Sequence, residues 1–185
     1  MVRVARIMRT ARLPFLVAAL VATVALAASD TELISDAQAA IATIKKTDPK
    51  IDKFFASSAG YVIFPTIDKA GFIVGGAGGD GVLFVGGKPV GKATLGQATI
   101  GAQIGGQAFS EIIFFENESS LSDFKKGNFA LSAQTSAVAL SSGKSANANY
   151  QNGVAVFTVA KTGLMAEATV GGQKFGYHPF GTQPK

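Results

Sequence analysis

The 185-residue chain contains no cysteine, no tryptophan and a single histidine, His178. Without cysteine there can be no disulfide and no lipoprotein-type lipid attachment. With one histidine besides, metal sites built on His or Cys ligands are excluded by count. A Ser-His-Asp triad would have to use His178, in a carboxy-terminal stretch, "YHPFGTQPK", that reads as an irregular tail. There it reads as an exposed imidazole rather than a working base. Acidic residues are also few, 12 against 17 Lys and Arg. Glu116, Glu118 and Asp123 could offer oxygens to calcium, but they lack the ligand loop such a site needs. The solvated start of a helix accounts for them better. Nothing points to a pair of glycosidase carboxylates either. The expectation is a protein with no catalytic residue, no metal and no cofactor.

Long apolar runs are missing too. Residues 13–27, "LPFLVAALVATVALA", fall short of the ~20 needed to span a bilayer. Arg3, Arg6, Arg9 and Arg12 precede this run without an acid, and Ala25-Leu26-Ala27 ends it in a small-x-small pattern. This predicts a secretory signal peptide over 1–27, cleaved near Ala27/Ala28, and a periplasmic or secreted protein. An uncleaved anchor is the alternative. There is no Arg-Arg pair, so the general export route fits better than the twin-arginine one. Removing residues 1–27 leaves 158 residues and takes Lys and Arg from 17 to 13, a net charge near +1. That length suffices for one domain, and the basic face that nucleic-acid binding requires is not supplied.

Within the remaining chain, residues 30–46, "DTELISDAQAAIATIKK", carry Leu33, Ile34, Ala37, Ala40, Ile41 and Ile44 on one helical stripe. Ser29 or Asp30 can cap this helix, and Lys45 and Lys46 suit the negative end of its dipole. Thr47-Asp48-Pro49 breaks it, and "KIDKFFASS" continues for another helical turn or two. From Gly60 onward the pattern is β: "YVIFP", "AGFIVGG", "GVLFVGG", the alternating "GQATIGAQIGGQAF", "EIIFFE", and later "ALSAQTSAVAL", "GVAVFTVAK" and "LMAEATVGG". "NESSLSDFKKGNF" reads as a short helix capped by Asn117 or Ser119 and anchored by Leu121 and Phe124. A 30-residue offset relates "GFIVGG…VLFV" to "GAQIGG…IIFF", as two segments meeting the same steric demand.

Within "GGAGGDG", residues 75–81, Gly76, Gly78 and Gly81 satisfy GxGxxG. A dinucleotide fingerprint also needs a following helix and an acid about 20 residues on. Neither is present, so no nucleotide is expected. The glycines are expected to let strands bend and pack closely, with Asp80-Gly81 forming a tight hairpin turn.

One stretch does suggest a surface. Lys45, Lys46, Lys50 and Lys53 follow the apolar stripe, with Phe54 and Phe55 next. Basic side chains beside aromatics suit an anionic bilayer. The same residues also fit a helix packed on a β-core with its lysines merely solvated.

The ordered set "AGYVIFPTIDKAGFIVGGAGGDGVLF", "GQATIGAQIGGQAFSEIIFF", "LSDFKKGNFALSAQTSAVAL" and "VAVFTVAKTGLMAEATVGG" resembles the SYLF domain, a lipid-binding family, from about Ala59 to Tyr177. The resemblance implies non-catalytic binding of anionic phospholipids or phosphoinositides at a membrane surface. It further implies a contact through the front helix, here residues 31–46. That assigns Lys45, Lys46, Lys50, Lys53, Leu33, Ile41 and Ile44 as candidate lipid-binding residues. Two departures stand out. Glu32 and Asp36 make the helix less basic than in relatives, and Lys88 stands where relatives often carry tryptophan. Actin binding by eukaryotic relatives is not carried over. The expected organisation is a signal peptide (1–27), a helical segment (28–58), a β-rich core (59–177) and a tail (178–185). The expected fold is α+β, an amphipathic helix on a Gly-rich, strongly curved antiparallel sheet, barrel- or sandwich-like. Two other functions remain open: an envelope structural or assembly protein acting through protein contacts, and an unrecognised hydrolase.

Overall fold

The computed structural model describes residues 14–71, 74–100, 107–132, 135–161, 168–169 and 172–181. Helix α1 (Pro14–Thr47) leads through a 3-10 turn (Pro49–Ile51) into α2 (Asp52–Ser57). Four long strands follow: β1 (Gly60–Gly71), β2 (Val74–Val85), β3 (Lys88–Ile100) and β4 (Gln107–Phe115). Then come α3 (Glu118–Lys125), β5 (Ser136–Ala139), a second 3-10 turn (Lys144–Asn147), β6 (Val154–Ala160), β7 (Ala168–Thr169) and β8 (Lys174–Pro179).

The strands lie in the order β7-β5-β6-β4-β1-β2-β3-β8. All pair antiparallel except β5 with β6, where Val138 faces Phe157 in parallel register. The sheet is therefore mixed rather than purely antiparallel. The exception arises because β5 returns to β6 through the 3-10 turn instead of a hairpin.

Both faces of the central strands are buried, and their alternation assigns them. Val62, Leu83, Ile113 and Phe115 join one core with Leu121 and Phe124 of α3. Ile63, Val82, Phe84, Ile112 and Phe114 join the other, with Ala37, Ala40 and Ile44 of α1 and Phe54 of α2. The α3 face is the concave one. Across it the Phe64 and Phe175 ring centroids lie 5.8 Å apart, and Gln173 Nε2 donates to Glu111 Oε2 at 3.0 Å. Strands β4 and β8 are four places apart in the sheet, so this contact requires strong coiling. A register shift in β1 between Phe64 and Ile67 helps supply it. Pro65 there cannot donate to a ladder, and a bulge tightens the twist.

Among the described residues the sheet stays open, with β7 and β8 at its edges. The segment after α3 nevertheless lies along β8. Ala130 bridges Lys174, Leu131 N donates to Gln173 O at 3.2 Å, and Gly172 N donates to Leu131 O at 2.9 Å.

Two further expectations are corrected. "GGAGGDG" lies wholly inside β2, with Asp80 opposite Thr94 and Gly81 opposite Ala93. The tight turn falls instead at Gly86-Gly87, whose φ values of 57° and 75° suit a two-residue hairpin. No helix follows β2, so the GxGxxG spacing has no phosphate-binding geometry. The carboxy-terminal stretch also differs from expectation. β8 carries residues 174–179 against β3, so His178 and Pro179 are strand residues. Of the two segments related by the 30-residue offset, 101–106 lie outside the described residues, as does most of "LMAEATVGG".

Candidate functional site

The corner where α1 ends is built around a buried acid. Pro49 opens the 3-10 turn, and Asp48 before it acts as its cap, accepting from Lys50 N at 3.1 Å. Its other oxygen, Oδ2, accepts from Ser145 N at 2.7 Å, 97 residues along the chain. Burial pushes the Asp48 carboxyl up. Amide donors from Ser145, Lys50 and Gly143 outweigh that and hold it below the ordinary aspartate value. One carboxylate thus fastens the second 3-10 turn onto the first.

Lys53 adds a second fastening. Its Nζ donates to Ala146 O at 2.7 Å and Ala148 O at 3.0 Å, and lies 4.9 Å from the Phe54 ring centroid. Lys45 pairs with Asp52 at 2.8 Å and lies 4.3 Å from the Phe55 ring centroid. Two of the four lysines proposed from sequence are therefore engaged within the domain. Lys46 and Lys50 are exposed, and among the described residues neither forms an ion pair.

The apolar candidates are divided as well. Ile44 is 1% exposed in the outer core, while Leu33 and Ile41 are half-buried at its margin. Beside them a groove of about 430 Å³ separates α1, at Asp36, Ala39 and Thr43, from Pro65, Ser110 and Lys161. Helix α1 thus sits on a firm anchor at Ile44 and leaves space further back along its length.

Elsewhere the chemistry is sparse. His178 is exposed, opposite Lys92 in the β3–β8 ladder. Glu116, Glu118 and Asp123 are exposed around the start of α3, where Asn117 accepts from Ser120 N at 3.0 Å as its cap. Among the described residues no group of three or more acids and histidines is placed to hold a metal. No described helix is long and apolar enough to cross a membrane.

Sequence reasoning missed two residues. Asp48 read as a helix breaker, although Asp before Pro is also a cap signature. Glu111 lay in "EIIFFE", read simply as a strand, and nothing local announced that it would meet Gln173 across the concave side.

Fold and surface together define an α+β domain with helices on both faces of a coiled sheet and a basic corner at the end of α1. Residues 96–177 match the family model described as Ysc84, Las17-binding protein actin regulator, consistent with the SYLF-domain family. The match runs from the end of β3 into β8 and includes the second 3-10 turn. No curated protein matches the chain.

Proposed function

We propose that this domain binds anionic phospholipid surfaces, without catalysis, through the corner formed by the end of α1 and the first 3-10 turn. The observation that carries the reading is the exposure of Lys46 and Lys50 on a rigid, capped corner. Lys53 contributes charge from a fixed position, since cation–π contact and hydrogen bonding to carbonyls leave its ammonium charge in place, whereas Asp52 pairs with that of Lys45. Leu33 and Ile41, half-buried, are the apolar side chains nearest to hand. Ile44 can reach lipid only if α1 undocks, so the first encounter is electrostatic. Phosphoinositides are the headgroup class that the family resemblance favours.

Each lysine near an anionic surface contributes roughly 1 kcal/mol. Replacing Lys46 and Lys50 with alanine is expected to cost about 2 kcal/mol, roughly thirtyfold in affinity for vesicles containing phosphatidylserine. The loss should shrink with added salt, because exposed charges are screened beyond about 10 Å at 0.1 M. Equal co-sedimentation of the double variant and the wild type at low salt would remove this corner. The family description names protein partners instead, Las17 and actin. A protein that ignores every vesicle yet pellets with actin filaments would favour that second reading.

We further propose export, with cleavage near Ala27/Ala28. Such a cut would fall inside α1 but upstream of Leu33, where the described contacts of α1 with the core begin.

A further inference from the structure

We propose that the second 3-10 turn, through Lys144, is the other half of the membrane contact; this rests on the lipid-surface reading above. Lys144 and Lys50 are 94 positions apart, yet the fold holds their backbones around one group. The amide of Lys50 and that of Ser145, the residue after Lys144, both donate to the Asp48 carboxylate, at 3.1 and 2.7 Å. Lys53 then grips Ala146 and Ala148 on the far side of the same turn. Gly143, at φ 79°, reverses the chain immediately before Lys144.

The result is a loop held by charge-assisted hydrogen bonds at both ends, with an exposed lysine at its leading residue. Among the described residues Lys144 forms no ion pair, and Asp52, the acid of α2, is already taken up by Lys45. Lys46, Lys50 and Lys144, none of them in an ion pair among the described residues, are therefore carried by two chain segments that meet at one corner. A flat array of phosphates, as a bilayer offers, can engage all three with little ordering of the loop, which is already fixed. The placement also joins the amino-terminal helix to the segment that carries the family match, within which Lys144 lies.

The test is co-sedimentation of the full chain with phosphatidylcholine vesicles, with and without phosphatidylserine, at low salt. Lys144→Ala should lose roughly fivefold in affinity for the anionic vesicles, as one interfacial lysine does. Lys144→Glu should lose more. Lys126→Ala is the control, because Lys126 caps α3 on the opposite face of the sheet. It should bind within twofold of wild type. Thermal unfolding of each variant should match the wild type, since both side chains are exposed. Wild-type binding with Lys144→Ala unchanged overturns the loop's part and leaves the α1 corner standing. Equal losses from Lys126→Ala and Lys144→Ala overturn it too, in favour of diffuse charge. A wild type that does not distinguish anionic from neutral vesicles overturns the lipid-surface reading and this inference with it.

Discussion

A Cβ added at Gly81 would stand 2.6 Å from both the Ile63 carbonyl oxygen and Phe64 Cδ1. One at Gly96 would meet nothing within 4 Å. Both glycines lie inside strands, so the contrast separates close approach from mere flexibility. Gly81→Val should destabilise by at least about 1–3 kcal/mol, because the neighbouring strand and ring must move. Gly96→Ala should stabilise by roughly 0.5–1 kcal/mol, because strand glycine carries an entropic cost. Thermal denaturation followed by circular dichroism reads both, at about 2–4 °C per kcal/mol for a chain of this size. Equal effects would mean that β1 and β2 are not packed as closely as they lie here. The composition showed that glycine was needed and that strands had to approach. It did not show where, because Asp-Gly is both a turn signature and, as at Asp80-Gly81, a legal strand pair.

The helices were the most legible elements. The stripe of α1, the cap and anchors of α3 and the short α2 all follow from local pattern, which is how helices are specified. Strand lengths were not, since "YVIFP" and the residues after it form one strand that continues through a bulge at its proline. The candidate site was half legible. The lysines were visible, but the carbonyl partners of Lys53 come from 93 and 95 positions away and leave no local trace. Asp48 is the clearest case. Its pKa is depressed on folding, so its stabilising contribution is fully present above the ordinary aspartate value of 3.8. That contribution is lost as pH falls through the lower folded value. Asp48→Ala, by leaving buried amides unpaired, should cost about 1–3 kcal/mol at pH 7. In chemical denaturation the gap between wild type and variant should narrow below pH 3.8. A constant gap across that range would show that the carboxylate charge does not hold the two 3-10 turns together.

For the whole molecule, the two-faced burial explains the 30-residue echo. Val82 and Ile112 both sit opposite Ile63, Leu83 and Ile113 opposite Val62, and Phe84 and Phe114 opposite Tyr61. Strands β2 and β4 flank β1 as near-equivalents, so similar sequence meets similar surroundings. The α+β class and the curvature could be read from glycine and alternation. The parallel β5–β6 pair and the open edges could not, because strand order is set by long-range contacts. The same scale governs the amino terminus. The described side-chain contacts of α1 with the core begin at Leu33. A chain beginning at Ala28 should therefore unfold within a degree or two of the full chain, as surface changes usually do. A large drop in its melting temperature would make the upstream half of α1 part of the domain.

The meeting of Glu111 with Gln173 also bears on the order of events in folding. Three strands lie between β4 and β8 in the sheet, and β8 follows all the others in sequence. The meander β1 to β4 can pair early, from neighbours in sequence. Its concave face keeps Phe64 without its Phe175 partner until the last residues arrive. Contacts so distant in sequence must bear a large loop-closure cost before they form, which slows folding toward the millisecond-to-second range of sheet proteins. A chain waiting on β8 would therefore hold the paired meander with its concave aromatic face uncovered, an interval in which that face is open to association with other chains.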